Sequence, residues 1–235
     1  MKTTAPHRFR LTTLANLTAA LAASLLAPAA QAADVSTLVG WAMLPAATFS
    51  DGSTSGQFAF TNAASPANNP PYINLQPVQG VSGVLAGPAA GTYTMLVDNG
   101  FGAKANSADH LLRLYALKPN WASKAAAVDF SSGATLPGFS AASRLTLNDA
   151  NYKMPFAIVA DAVNYRGSAI AVDPSITAGR LLTGGDLDLE SVRKDKNGNY
   201  WFGEEFGPFL VKADAHGTVQ NVFRTANVLG LGSNP

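Results

Sequence analysis

An all-β fold is what this sequence predicts, on three observations. Helical signals are poor after the first thirty residues. The apolar runs are short and rich in β-branched or aromatic residues, and turn chemistry built on Gly, Pro, Asn and Asp separates them.

The N-terminus is read apart from the fold. Lys2, His7, Arg8 and Arg10 make a positive start, Leu11 to Leu26 is a short apolar run, and Ala30-Gln31-Ala32 is a small-x-small cleavage site. This pattern predicts a secretory signal peptide over residues 1–32, with an uncleaved anchor as the alternative, and a periplasmic or secreted protein. Three of the 16 basic residues lie in that segment, so the remainder carries 13 basic against 15 acidic residues, a formal charge of −2. Such a balance argues against nucleic acid or an anionic membrane as partner, since both require a basic patch. No later run is long and apolar enough for a membrane span. The chain has no cysteine, which excludes disulfides, thiolate nucleophiles and Cys-ligated metals.

Strands are expected at Gln57 to Thr61, Tyr93 to Val97, Leu111 to Leu117, Phe156 to Val159, Ser168 to Val172, Tyr200 to Phe202, Phe209 to Ala213 and Thr218 to Thr225. Short helical turns are expected at Trp121 to Ala127 and near Ser140 to Asn148. Asn197-Gly198 is a preferred type I′ hairpin pair, and Asp214-Ala-His216-Gly217 a second hairpin loop. An EF-hand reading of Asp195-Lys-Asn197-Gly198-Asn199 fails, because its sixth position is Tyr200 and its twelfth Phe206.

One internal similarity sharpens the fold class. Gly91-Thr-Tyr93 through Asp98-Asn99-Gly100-Phe101-Gly102 and Gly198-Asn-Tyr200 through Glu204-Glu205-Phe206-Gly207 both run turn glycine, aromatic strand, acidic or amide pair, Phe-Gly, then a second strand. Each follows an extended segment ending in a polar-Ser step, Gln79-Gly-Val-Ser82 or Asp188-Leu-Glu190-Ser191. The offset from Tyr93 to Tyr200 matches about two blades of a β-propeller. Corresponding loops of different blades converge on one mouth of a propeller, so distant carboxylates are expected to meet there. Two unrelated hairpins with common turn residues are the alternative.

Asp186, Asp188 and Glu190 alternate, and a strand would put them on one face. With Glu204 or Glu205 they suit a hard divalent cation, calcium above all, which favours oxygen donors; a solvated acidic edge is the other reading. Asp98 and Asn99 end the matching strand, with Lys104 close behind. Cations such as Lys104 and Arg193 could hold substrate phosphate or simply balance surface acids. A Ser/His/Asp triad finds little support, since Gly80-Val-Ser82-Gly83-Val84 misses the nucleophile elbow at its last position.

These segments resemble the phytase-like β-propeller family, described as having esterase-like activity of phytase. The resemblance rests on Gln76-Pro-Val-Gln79-Gly80-Val-Ser82, on Asp98-Asn99-Gly100-Phe101-Gly102-Ala-Lys104-Ala-Asn106-Ser107-Ala-Asp109, on Arg180-Leu-Leu-Thr183-Gly184-Gly-Asp186-Leu-Asp188-Leu-Glu190-Ser191, and on Tyr200-Trp-Phe-Gly203-Glu204-Glu205-Phe206-Gly207-Pro208. It spans roughly Leu44 to Pro235. The chain departs from the family where Asp188-Leu-Glu190 lacks the usual central proline and where Glu204 replaces an aspartate.

The resemblance implies a propeller over residues 33–235 and metal-aided hydrolysis of phosphate or other small-molecule esters. Family members continue beyond the point where this sequence stops, so an incomplete propeller is expected. At the matched positions Glu190, Glu204 and Glu205 are expected to be catalytic, and Gln79, Lys104 and Arg193 to bind substrate. Asp98, Asn99, Asp188 and Glu190 are expected to hold the ion. The competing expectation is a non-catalytic propeller that binds a ligand or protein partner in the cell envelope.

Overall fold

Two antiparallel meanders carry the architecture. In the computed structural model, which describes residues 37–59, 70–207 and 209–225, the first meander runs β3 (Val81–Ala86), β4 (Tyr93–Val97) and β5 (Arg113–Lys118). The far edge of β5 is shared by two short strands, β6 (Ala126–Ala127) against its end and β7 (Arg144–Thr146) against its start. The second meander is β8 (Leu189–Lys194), β9 (Tyr200–Glu204), β10 (Phe209–Ala213) and β11 (Val219–Arg224), in sequence order. A two-stranded ribbon, β1 (Phe49–Asp51) with β2 (Leu75–Pro77), precedes them. The fold is therefore all-β, and no closed barrel or propeller ring is formed among the described residues.

The two meanders repeat one design. Tyr93 opens β4 and Tyr200 opens β9, each the second strand of its sheet. Each first hairpin carries a bulge at the same place. Ser82 is the extra residue between the pairs Val81↔Val97 and Gly83↔Leu96, and Glu190 the extra residue between Leu189↔Glu204 and Ser191↔Gly203. Beyond each bulge the chains are tied by corresponding bonds, Asp98 N to Gly80 O at 2.7 Å and Glu205 N to Asp188 O at 2.8 Å. A bulge bends its strand and re-aims a side chain.

β8 packs across β3 and β4, so the two sheets share one core. Leu96, Leu112, Leu114, Leu147, Leu182, Leu189, Phe202 and Val211 are all wholly buried in it. Burying each such side chain contributes about 1.5–3 kcal/mol. The ribbon is pinned to the first sheet by the buried Arg113, whose Nη1 donates to Asp51 O at 3.1 Å and to Tyr115 Oη at 3.1 Å, and by the Arg144–Asp51 ion pair. The buried Gln76 amide exchanges two bonds with the Leu111 backbone, at 2.8 and 2.9 Å.

Several expected elements differ. Residues 156–159 form no strand, because Ile158 N goes to Asp161 Oδ2 at 3.0 Å and Val159 N to Asp186 Oδ1 at 2.7 Å, leaving neither for a neighbouring strand. Ser168–Val172 forms no full strand: it turns, with Ser168 N bonded to Tyr165 O and Ile170 N to Ser168 Oγ, and then makes one isolated antiparallel bridge, Asn164↔Ala171, closed by Val172 N to Val163 O. Trp121–Ala127 is a turn running into β6 rather than a helix, and the 140–148 region is one 3-10 turn followed by β7. Gln57 to Ala59 turn, and the rest of that expected strand lies outside the described residues, as do the signal segment 1–32 and the terminal segment 231–235.

A short helix, α1 (Pro174–Gly179), was not expected. Asp173 caps it by accepting from Ser175 N at 2.9 Å, Pro174 occupies its first turn, and Ile176 is its buried residue. The Asn197-Gly198 turn is not type I′, since only Gly198 has positive φ (85°). Asp195 instead organises a longer loop, its Oδ1 accepting from Asn197 N and Asn199 N at 2.9 and 3.0 Å. Asp214 builds the next loop in the same way, through His216 N and Thr218 N. An aspartate that bonds two amides ahead of it mimics a backbone turn. Among the described residues no helix is long and apolar enough to cross a membrane.

Candidate functional site

The ends of β4 and β9, with the segment leading into β8, bring the predicted acids together. Asp188 is 7% exposed and wedged against the Asn99 loop: Asn99 N donates to its Oδ1 at 3.2 Å and Asn99 Nδ2 to its Oδ2 at 2.8 Å. Burial pushes the Asp188 carboxyl up to about 6. The Asn99 bond opposes that shift, and repulsion from Glu190, Asp98 and Glu205 adds to it. Asp98 is half-buried and also raised, first by burial and then by Glu190, while its Oδ1 accepts from Gly100 N at 2.8 Å. Four carboxylates from two meanders thus feel one another across one end of the molecule. Glu190 reaches this end from its bulge and is exposed.

Asn99 is 1% exposed and fully engaged, its Oδ1 accepting from Gly102 N at 2.9 Å and from Ser107 Oγ at 3.5 Å. Two glycines admit this packing. A Cβ on Gly184 would lie 2.0 Å from Asn99 O, and one on Gly100, whose φ is +105°, would lie 1.8 Å from the ring of the buried His110. Gln79 braces the same loop by donating from Nε2 to Gly100 O at 2.6 Å. It acts as a strut for the loop that carries Asp98 and Asn99.

Glu204 stands beside this group, its Oε2 accepting from Phe206 N at 2.9 Å and its Oε1 buried without a partner. Burial raises its pKa, and Lys104 partly offsets that. The Lys104 ammonium lies 5.6 Å from the Phe206 ring centroid and 5.9 Å from that of Phe156. Glu205 is exposed, and its backbone N donates to Asp188 O.

One expectation is corrected by the geometry. Asp186 does not share a face with Asp188 and Glu190, because β8 begins only at Leu189. It is 3% exposed and serves the backbone, accepting from Val159 N at 2.7 Å, Thr183 N at 2.8 Å and Thr183 Oγ1 at 3.0 Å. Burial outweighs those bonds and lifts it to about 6. Arg193 sits opposite Trp201, its Nη1 donates to Val192 O at 2.7 Å, and it forms no ion pair among the described residues.

The donor set has the character a hard cation requires. The donors are all oxygens, and the carboxylates of Asp98, Asp188 and Glu190 form no ion pair with Lys or Arg among the described residues. Charge accumulated in this way suits a calcium-type ion. Yet among the described residues no three His, Asp or Glu side chains close around one point as ligands. The chemistry of the set, oxygen donors without a paired basic side chain among the described residues, suits a hard cation.

Sequence reasoning missed the partners that hold the acids. Ser107, Thr183 and Gly184 lie within the quoted motifs, but their role depends on contacts between segments. The hydrophobic pattern does not single out His110. It is wholly buried under Gly100, with neither ring nitrogen hydrogen-bonded and its pKa pushed down to about 3 by burial and then by Arg113.

The family model described as "Phytase-like: Esterase-like activity of phytase" matches residues 76–235, from the buried Gln76 through both meanders. No curated protein and no solved structure gives a significant match. The matched span includes Asp98, Asn99, Asp188, Glu190, Glu204 and Glu205, and the chain belongs to the phytase-like family.

Proposed function

We propose that this chain is an exported phytase-like hydrolase of propeller architecture that acts on phosphate esters or other small esters with the aid of a divalent cation. The reading is carried by one observation: acids of two equivalent hairpins meet, so that burial and the charge of Glu190 raise Asp98, and burial with the charges of Glu190, Asp98 and Glu205 raises Asp188. The family match supports hydrolysis as the reaction type.

Asp98, Asp188 and Glu190 would hold the cation, with the buried Asn99 fixing the Asp188 carboxylate, and calcium is the ion this oxygen set favours. When bound, such an ion polarises the ester oxygen and acidifies water. The residues themselves divide the remaining work. Glu190 and Glu205, exposed at the mouth, are the bases for attacking water. Glu204, with its raised pKa and free Oε1, is suited to exchange a proton with the leaving oxygen. Lys104 orients the anionic part of the substrate, while Gln79 keeps the Asp98 loop in place.

A second reading has a specific observation in its favour. Asn99 and Asp188 seal each other, as they would in a purely structural joint that binds a ligand or envelope partner without turnover. Release of nitrophenol from 4-nitrophenyl phosphate and 4-nitrophenyl acetate, with and without calcium, separates the two. Calcium-dependent turnover is expected. A rise in melting temperature with calcium and no turnover of either ester would favour the binding reading.

A further inference from the structure

Beside the acids lies a cavity of about 760 Å³ that the reading above does not use. Its walls are apolar and aromatic, built by Phe156, Ile158, Val159 and Tyr165, while Lys104 and Arg166 stand on its lining. The size falls in the range of small-molecule sites, about 300–1,000 Å³. Neither Lys104 nor Arg166 forms an ion pair among the described residues. Asp186, the acid on the lining, directs both oxygens to Val159 N and to the N and Oγ1 of Thr183. The cavity therefore offers apolar surface and two cations without an acid paired to them.

The segment that makes these walls is held open by specific bonds. Val159 N is fixed by Asp186 and Ile158 N by Asp161, so residues 156–159 stay out of either sheet and present their side chains to the cavity. Tyr165 is anchored at its rear, its Oη accepting from Asp173 N at 3.3 Å and its ring edge-on to Phe58 with centroids 5.2 Å apart. Lys104 joins the cavity to the acids: it lies over the Phe156 ring on one side and the Phe206 ring on the other, and its charge is felt by both Asp186 and Glu204.

We propose that this cavity binds the apolar, preferably aromatic, body of a small monoester whose anionic group is held by Lys104 and Arg166. The inference deepens the hydrolase reading by assigning a substrate class, and it rests on Lys104 as the residue that orients substrate. Such a site favours one ring with one anionic group. A polyol bearing many phosphates would leave the apolar walls uncovered and exceed the two available cations.

The test uses benzylphosphonate, whose carbon–phosphorus bond cannot be hydrolysed, so that binding is read apart from turnover. Isothermal calorimetry should give a Kd at least roughly tenfold lower than that of methylphosphonate, which has the same anion without the ring. Lys104→Ala should raise the benzylphosphonate Kd by about tenfold or more at low salt, with Lys104→Arg restoring it. Ala162→Trp, which fills the cavity from its lining, should abolish binding while the melting temperature shows a folded protein. Equal affinity for the two phosphonates, or no affinity for benzylphosphonate, would overturn the proposal. Phosphate release from phenyl phosphate is measured separately. Benzylphosphonate binding without turnover would sink the hydrolase reading alone, and turnover without benzylphosphonate binding would sink the cavity assignment alone.

Discussion

Asn99 and Asp188, 89 residues apart in sequence, are joined by two hydrogen bonds, one from the Asn99 backbone and one from its side-chain amide. The joint links the end of the first meander to the start of the second, and it holds a buried carboxyl among three other acids. Asn99→Ala removes the side-chain bond to Asp188 and the acceptor for Gly102 N, so about 2–4 kcal/mol of unfolding free energy should be lost in urea titration. Asn99→Asp should cost more at pH 7 than at pH 4.5, because it opposes two carboxylates. Equal losses at the two pH values would contradict the close contact.

Calcium should raise the melting temperature, and more at pH 7.5 than at pH 5, since Asp188 gives up its proton only near pH 6. Asp188→Asn should erase that dependence. A melting temperature indifferent to millimolar calcium in the native protein would remove the cation from the proposed mechanism.

Glu204→Gln should lower ester hydrolysis by about 10²-fold or more while leaving the fold intact, as expected for loss of a proton-transfer group. Arg193→Ala should change the rate less than about twofold, because its guanidinium is turned to Val192 O. Steady-state kinetics on 4-nitrophenyl phosphate compare the two, and a larger effect at Arg193 would reverse the assignment.

Acid stability should depend on His110. Its folded pKa, about 3, lies below the ordinary value of 6.5, so the unfolded chain takes up a proton first as the pH falls. Stability from this group is complete above pH 6.5 and is lost on the way down to about pH 3, by up to about 5 kcal/mol at about 1.4 kcal/mol per pH unit. Asp186 acts in the opposite direction. Its folded pKa of about 6 lies above the ordinary 3.8, so its contribution is complete below 3.8 and is lost as the pH rises toward 6. His110→Phe gives up no hydrogen bond, since neither ring nitrogen makes one, and it should flatten the acid limb of a stability profile from pH 3 to 7. An unchanged limb would show that another group governs acid unfolding.

The strands β4, β5, β9, β10 and β11 were legible because each is a short apolar run closed by a turn residue, and the Tyr93 and Tyr200 strands announced their equivalence through shared spacing. Segments 156–159 and 168–172 misled because their composition suits a strand. The amides of Ile158, Val159 and Ile170 are claimed by Asp161, Asp186 and Ser168 Oγ, so the first segment joins no sheet and the second makes only a single bridge, and single residues of that kind cannot be seen in a periodicity. The helix at Pro174 carries its own signal in Asp173 before Pro174, a capping residue followed by a first-turn proline. At the site, the acids were visible as residue types. That Asp186 turns inward to Thr183 while Asp188 turns to Asn99 depends on where β8 begins, and a bulge at Glu190 leaves no mark on hydrophobic patterning.

The paired bulges mean that one kink is used twice with different cargo, a hydroxyl at Ser82 and a carboxylate at Glu190. Because the extra residue pairs with nothing across the sheet, its identity is free to change without disturbing strand register. The acidity of the mouth can thus be retuned one side chain at a time, with the scaffold left as it stands.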